Sequence, residues 1–242
     1  MQSSFSPTSI LATSIAIFTA SDEIEALTML LVDPGWPHHP DTAATLDMAC
    51  LKAEALDHFT ARLAQITASL AEKGLAPEVV LSPSNEKQVP TFRQQLAVTI
   101  KPCVCPAYKA RRLTEQDIGP VYFAVLIRTK TSSAEVVAST LSNFHGYPDN
   151  EFSTRIEAVH PKWQRQGVGT GLFRFVETAV EFIANADPFV RVNLGRDAPC
   201  TVIESCIDHN APKWHHEFMK KLQFDCDGRR GDDLVFQKTI SL

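Results

Sequence analysis

The 242-residue chain predicts an α/β domain of the α+β type, and three observations carry that expectation. Two β-rich runs, residues 121–129 and 135–143, flank the short polar segment 130–134, the pattern of a hairpin. A third run, 153–159, leads through Pro161 into glycines at 167, 169 and 171. Beyond these, Val168, Leu172, Phe175, Val176, Ala179, Val180 and Ile183 recur at three- and four-residue steps as far as the breaker Asp187-Pro188, which gives one apolar helix face.

In chain order, residues 14–19 are expected as a first strand and 22–31 as a first helix capped by Ser21. Pro34-Gly-Trp-Pro-His-His-Pro40 reads as a rigid aromatic loop. Residues 42–73 then place Leu46, Ala49, Ala53, Leu56, Phe59, Leu63, Ile66 and Leu70 on one stripe, as one long helix or two with a bend, with Gly74 as the stop. Prolines and polar breaks surround a short run at 95–100, so 76–120 is expected as an insertion or ordered loop with one extra strand. After the glycine turn and its helix come a strand at 189–194, a helix over 210–224 and a last strand at 233–240. The whole reads as one domain: 1–75 an N-terminal strand and helices, 76–120 an insertion, 121–242 the core.

With 44% apolar side chains the chain can bury a substantial core. Twenty-three Lys plus Arg against 28 Asp plus Glu leave a net charge of −5, which opposes sequence-independent nucleic-acid binding and suits a cationic amine. Six cysteines, at 50, 103, 105, 200, 206 and 226, are too sparse for a disulfide scaffold, so reduced thiols and a cytoplasmic location are expected. The apolar stretch 10–20 lacks preceding basic residues and is followed by Asp22 and Glu23, which argues against a targeting peptide, and no membrane association is expected.

The strand–glycine turn–helix unit is a phosphate-binding arrangement, because the N–H groups of a helix's first turn face outward at the positive end of its dipole. A Walker loop needs Lys and then Ser or Thr after its last glycine, whereas Leu172 and Phe173 follow Gly171. A dinucleotide fingerprint counted from Gly167 and Gly169 puts its third glycine on Leu172. What fits is Gln164-Arg165-Gln166-Gly167-Val168-Gly169, preceded by Val159-His160-Pro161. This resembles the acetyl-coenzyme A signature of the GNAT superfamily of N-acetyltransferases, and residues 210–224 resemble that family's closing helix. Two positions depart from it: Met219 stands where the family often has a tyrosine acid, and Gln223 where it usually has glycine.

The resemblance covers residues 121–240. It implies a mixed, mostly antiparallel central sheet flanked by helices, here with an N-terminal helical elaboration. It also implies transfer of an acetyl group from acetyl-CoA to a primary amine of a small molecule or protein, by direct attack in a ternary complex, without a metal, in a monomer or homodimer. By the same resemblance the strand edge at Ala158 and Val159 pairs with the pantetheine arm, and the Val159 amide steadies the thioester oxygen. The turn Gln164, Arg165, Gln166, Gly167, Val168, Gly169 and Thr170 holds the pyrophosphate, with a charge-assisted contact from Arg165. Asn210 is either a pantetheine partner or an ordinary helix cap. The 34–40 loop is, by resemblance, a specificity element of the acceptor wall, or else a surface connector.

Acyl transfer to an amine needs a deprotonated amine, a polarised carbonyl and a proton for the leaving thiolate. Glu157 is the first choice of base, since strand alternation sets Arg155, Glu157 and Val159 on one face; an ion pair with Arg155 is the other explanation of a mid-strand carboxylate. His160 is second, or only caps the turn, and Glu151, His145, Tyr147 and Asp149 lie in the approach to the strand. With Met219 unable to donate a proton, His215, His216, Tyr147 or water takes the acid's part. Two other classes compete: a non-catalytic acyl-CoA-binding module, and a zinc protein built on Cys103, Cys105, Cys200, Cys206, His209, His215 and Cys226, whose spacings match no paired Cys-x-x-Cys pattern.

Overall fold

The computed structural model describes residues 15–17, 53–82, 86–109, 112–131, 133–146, 149–186, 190, 193–194, 200–208 and 213–241. The expected helix at 22–31 with its Ser21 cap, the 34–40 loop and the first part of the 42–73 stripe lie outside these residues. The described elements are β1 (Ile15–Ile17), α1 (Ala53–Ala71), β2 (Leu75–Leu81), α2 (Val89–Tyr108), α3 (Glu115–Ile118), β3 (Phe123–Thr129), β4 (Val136–His145), β5 (Glu151–Val159), α4 (Val168–Ala186), β6 (Cys200–Asp208), α5 (Lys213–Lys221), β7 (Asp225–Arg230) and β8 (Asp233–Ser241).

The strands form one sheet in the order β1-β2-β3-β4-β5-β6-β8-β7. Neighbours run antiparallel except β5 and β6, which are parallel, and α4 supplies the crossover that a parallel pair requires. The mixed, mostly antiparallel architecture is therefore as the sequence led us to expect.

Alternation along β3 divides the core. Phe123, Val125 and Ile127 point to one face and pack with Ile66 and Leu70 of α1 and with Leu172, Phe175, Val176 and Val180 of α4. Ala124 and Leu126 point to the other, against Phe92, Leu96, Ile100 and Val104 of α2. An Arg62–Glu181 pair at 2.5 Å joins α1 to α4. A Cβ at Gly171 would lie 3.0 Å from the Leu70 side chain, so this glycine serves the α1–α4 contact rather than a ligand.

Three sequence expectations are corrected. Residues 95–100 are helical, not an extra strand, and 76–120 holds a strand and two helices rather than a loop. Phe92, Leu96, Ile100, Cys103 and Val104 form a buried helical stripe, while Pro102 and Pro106, which suggested breaks, lie on its exposed side. The strand expected at 189–194 is absent: described residues 190, 193 and 194 are helical, with Val190 and Leu194 buried four residues apart, and the strand is Cys200–Asp208. Finally, β7, which pairs with the last strand as a hairpin, has no sequence signal of its own, because Asp-Cys-Asp-Gly-Arg-Arg has no apolar alternation and all six residues are exposed.

Candidate active site

Pairing between β5 and β6 runs from Glu151 opposite Val202 to Thr154 opposite Ser205 and stops there, although β5 continues to Val159 and β6 to Asp208. The two strands thus separate into a wedge. A bulge in β5 accompanies the separation: Leu141 pairs with Arg155 and Ser139 with Ala158, so Thr140 alone faces both Ile156 and Glu157. Ile156 adopts φ +52°, a strained conformation for a β-branched residue, and the extra residue bends the strand.

The bulge also corrects the alternation expected for Glu157. Instead of sharing a face with Arg155, its carboxyl turns to the wedge, where Oε1 accepts 2.7 Å hydrogen bonds from the hydroxyls of Thr154 and Ser205. Arg155 donates to the Pro120 carbonyl, and no ion pair links it to Glu157. Thr154 and Ser205 are buried; Glu157 keeps some exposure, yet burial pushes its carboxyl well above the ordinary value, against the lowering effect of the two hydroxyls and its own backbone.

Sequence reasoning missed one residue beside this carboxyl. Tyr108, at the end of α2, donates a 2.5 Å hydrogen bond to the backbone carbonyl of Glu157. Burial of the hydroxyl, followed by the Glu157 charge, raises its ionisation far above that of free tyrosine, so it stays protonated, although half of the residue is exposed. Had 89–108 been recognised as a helix packed over β4 and β5, Tyr108 would have been placed near Glu157.

At the end of β5 the chain enters a 3₁₀ turn at Pro161–Trp163. His160 caps it, its Nδ1 accepting from the Lys162 amide; Gln164 donates to the Val159 carbonyl, and Gln166 to that of Lys162. Arg165 and Gly167 take φ +59° and +81°, which aims successive amides outward. Among the described residues no acceptor meets the N–H groups of residues 165 to 170, and the first return bond of α4 is Gly171 to Gly167. A Cβ on Gly167 would meet nothing within 4 Å, so its glycine answers to conformation alone; one on Gly169 would come to 3.4 Å from Phe218 and 3.6 Å from Val159. Val168 and Ala158 turn buried side chains to the core and offer the site only their backbones.

The remaining candidates spread more widely. His216 sits against Phe236 of β8, ring centres 5.9 Å apart, and Phe236 pairs with Ser205 of β6, the residue that bonds Glu157. Its Nε2 and the Nδ1 of His215 are buried without a partner, and His215 is held below its ordinary value by burial, then by His216. His145 bonds Ser153 at 3.0 Å and Asn143 at 3.3 Å. Glu151 is raised by burial and then by Glu204, while Asp149 is exposed. Asn210, Tyr147 and His209 lie outside the described residues. Cys103 is a core residue whose thiol bonds Ile100 and Ser139 and whose ionisation burial pushes up to about 11. No group of three metal-binding side chains occurs among the described residues, and no helix there is long and apolar enough to cross a membrane.

No protein-family model matches the chain, and no curated protein matches it. Solved structures do. The chain is similar to the PaiA N-acetyltransferase of Thermoplasma acidophilum, a complex with coenzyme A, at 10% identity and TM-score 0.35; the match covers 48% of this chain and 58% of that one, less than two thirds of its length. It is similar to the ribosomal-protein-S18-alanine N-acetyltransferase of Escherichia coli at 13% identity and TM-score 0.43, covering 69% and 95%. A GNAT-family acetyltransferase of Staphylococcus aureus Mu50 gives 11% identity and TM-score 0.43, covering 69% and 100%.

Proposed function

We propose that the chain is an acetyl-CoA-dependent N-acetyltransferase of the GNAT type, acting on a primary amine of a small molecule or protein by direct attack. The observation that carries this reading is the continuity of β5: one strand bears a hydroxyl-bonded carboxyl in an open wedge and then, within ten residues, a turn with six unpartnered amides. An extended thioester with a pyrophosphate at its far end has that shape. Amides 165 to 170 hold the pyrophosphate, with Gln164 and Gln166 bracing the turn and Arg165 adding charge. The free edge of β5 at Ala158 and Val159 takes the pantetheine, and the Val159 amide polarises the thioester carbonyl.

In this mechanism Glu157 removes the amine's proton. An ordinary carboxylate is a weak base toward an ammonium ion; one raised by burial is better matched. Tyr108 fills the place of the family tyrosine absent at Met219, since its hydroxyl remains protonated and lies on the Glu157 backbone. It is the proton donor preferred over His216, which packs against Phe236 on β8. His160 is occupied in capping and ranks behind Glu157. Asn210 retains its proposed contact with pantetheine. Helix α2, which covers β4 and β5, is assigned to the acceptor wall.

Calorimetry with coenzyme A, followed by thiol release from acetyl-CoA with a panel of amines, tests the proposal. Micromolar affinity with amine-dependent release is expected. Affinity without release leaves the non-catalytic acyl-CoA module, and failure of coenzyme A to bind overturns both.

A further inference from the structure

The buried hydroxyl of Thr154 is claimed twice. Its Oγ1 stands 2.7 Å from Oε1 of Glu157 and 3.0 Å from the backbone carbonyl oxygen of Glu204 on β6, and both of these are acceptors. A threonine hydroxyl carries one proton, so only one of the two bonds is made at a time. The Ser205 hydroxyl has no such rival among the described residues: its hydrogen bond, also 2.7 Å, goes to the same Oε1.

Which bond Thr154 makes depends on the charge of Glu157. A carboxylate oxygen is a stronger acceptor than a peptide carbonyl and takes the proton. A protonated carboxyl loses that advantage, or is itself a donor to Oγ1, and the hydroxyl then turns to Glu204. In the ionised state two hydroxyls hold the carboxylate and the link from Thr154 to β6 is open; in the protonated state that link is closed and Ser205 alone donates to the carboxyl.

We propose that Thr154 is a positioning residue for Glu157, and that its hydroxyl switches from the Glu157 carboxylate to the Glu204 carbonyl when Glu157 takes the amine's proton. The proposal rests on the reading of Glu157 as the base. The amine N–H bond breaks with its electron pair left on nitrogen, an O–H bond forms on the carboxyl, and Thr154 keeps its own proton and only rotates. Having a partner in both states, Thr154 favours neither strongly, whereas Ser205 favours the charged form alone. The division matters for the chemistry, since two one-sided donors would pull the carboxyl back toward an ordinary, weaker base. Burial does outweigh both hydroxyls at Glu157, and Ser205 has the larger lowering effect of the two.

Other ionisable groups surround the pair. Within the sheet they are Glu151 and the Glu204 carboxyl held by Arg230; from α2 comes Tyr108, and from α5 His215 and His216, with His160 just past β5. Glu157→Gln removes one titration and none of theirs, so it is the reference for the test. Carbon-13 NMR of the Glu204 backbone carbonyl reads the switch, because that resonance moves downfield when the oxygen accepts a hydrogen bond. As pH falls through the Glu157 midpoint it should move downfield in the parent and in Thr154→Ser, and stay still in Thr154→Val and Glu157→Gln. A parent resonance indifferent to the Glu157 titration overturns the switch, even if Thr154→Val fails to fold.

The midpoint itself, read from the Glu157 carboxyl carbon and from the acid limb of the pH–rate profile, gives the second arm. Ser205→Ala should raise it by about one unit, tenfold in the ionised ratio, and Thr154→Val by less than half as much. A shift in Thr154→Val equal to that in Ser205→Ala means a fixed bond to Glu157, and no shift with a motionless carbonyl means a fixed bond to Glu204; either result overturns the proposal. Glu157→Gln with the parent's turnover, while the Glu204 carbonyl of the parent still follows Glu157, removes the base and leaves the Thr154 switch standing.

Discussion

The Ser205 hydroxyl on β6, in the last pair that the two strands make, donates a 2.7 Å hydrogen bond to Oε1 of Glu157 on β5, beyond the point where they cease to pair. A side-chain contact thus replaces the backbone ladder at the apex of the wedge. Thr154, the last paired residue of β5, bonds both the same carboxylate oxygen and the Glu204 carbonyl across the strands. The carboxyl is consequently fixed in place while the strand edges beyond it are left open, and a fixed base beside an open edge is what an extended acyl donor needs.

Glu157→Gln keeps the size of the side chain and removes the base, so turnover should fall roughly a hundredfold with coenzyme A affinity unchanged, and the acid limb of the pH–rate profile should vanish. The same change alters stability in a defined direction. Because the folded state raises the Glu157 pKa, its contribution is fully present below the ordinary value of 4.5 and is lost as pH rises through the raised folded value. Denaturant titrations from pH 4 to 9 should therefore show a decline in the parent that Glu157→Gln lacks. An unchanged rate and pH profile would move the base to another residue.

Tyr108→Phe removes one hydroxyl and leaves the ring packing. Turnover is expected to drop about tenfold or more, with the coenzyme A dissociation constant within about twofold, as befits loss of a proton donor. Since burial and the Glu157 charge hold the hydroxyl protonated, the parent's rate should show no alkaline limb from Tyr108 below pH 10. A steady-state rate equal to the parent's would leave the thiolate to be protonated by His216 or water.

The parts of the molecule that were legible in the sequence are those in which one periodicity governs a whole segment. Helix α4 carries an uninterrupted apolar stripe, and β3, β4 and β5 are β-branched runs bounded by turns. Legibility failed where local chemistry contradicts the role. Pro102 and Pro106 mark a break in isolation, yet Ile100, Cys103 and Val104 bury the opposite side of the same helix. The bulge at Ile156 and Glu157 leaves no sequence mark, because neither residue favours positive φ; it accompanies the divergence of β5 from β6, a tertiary fact. Tyr108 was hidden by the same misassigned helix, so the proposed acid followed from that one correction.

Gly167 separates conformation from ligand binding. It sits at φ +81°, and a methyl group added there would meet no atom within 4 Å, so Gly167→Ala should cost about 1–2 kcal/mol through backbone strain alone and retain measurable coenzyme A affinity. Gly167→Asp adds a negative charge among six amides that have no acceptor among the described residues and should abolish binding. Calorimetry on both folded variants decides the matter: equal affinity in parent and Gly167→Asp would remove the pyrophosphate from this turn.

Gln223 tests the other departure from the family pattern. Helix α5 ends in a Schellman arrangement, with the Phe224 amide bonded to the Met219 carbonyl at 3.0 Å and the Gln223 amide to that of Lys220 at 2.9 Å, while Met219 and Phe224 are both buried. The residue between them must be left-handed, and Gln223 sits at φ +66°. A glutamine there carries steric strain that glycine avoids, and its exposed side chain forms no hydrogen bond among the described residues to offset it. Gln223→Gly should thus stabilise the protein by about 1 kcal/mol, less whatever glycine loses through its freer unfolded chain, and raise the thermal midpoint by about 2–4 °C for a chain of this size. Scanning calorimetry in the absence of ligand measures it. A lowered midpoint would mean that the Gln223 side chain contributes more than its backbone costs, and would make the glutamine a selected feature of this chain's α5–β7 corner rather than a tolerated one.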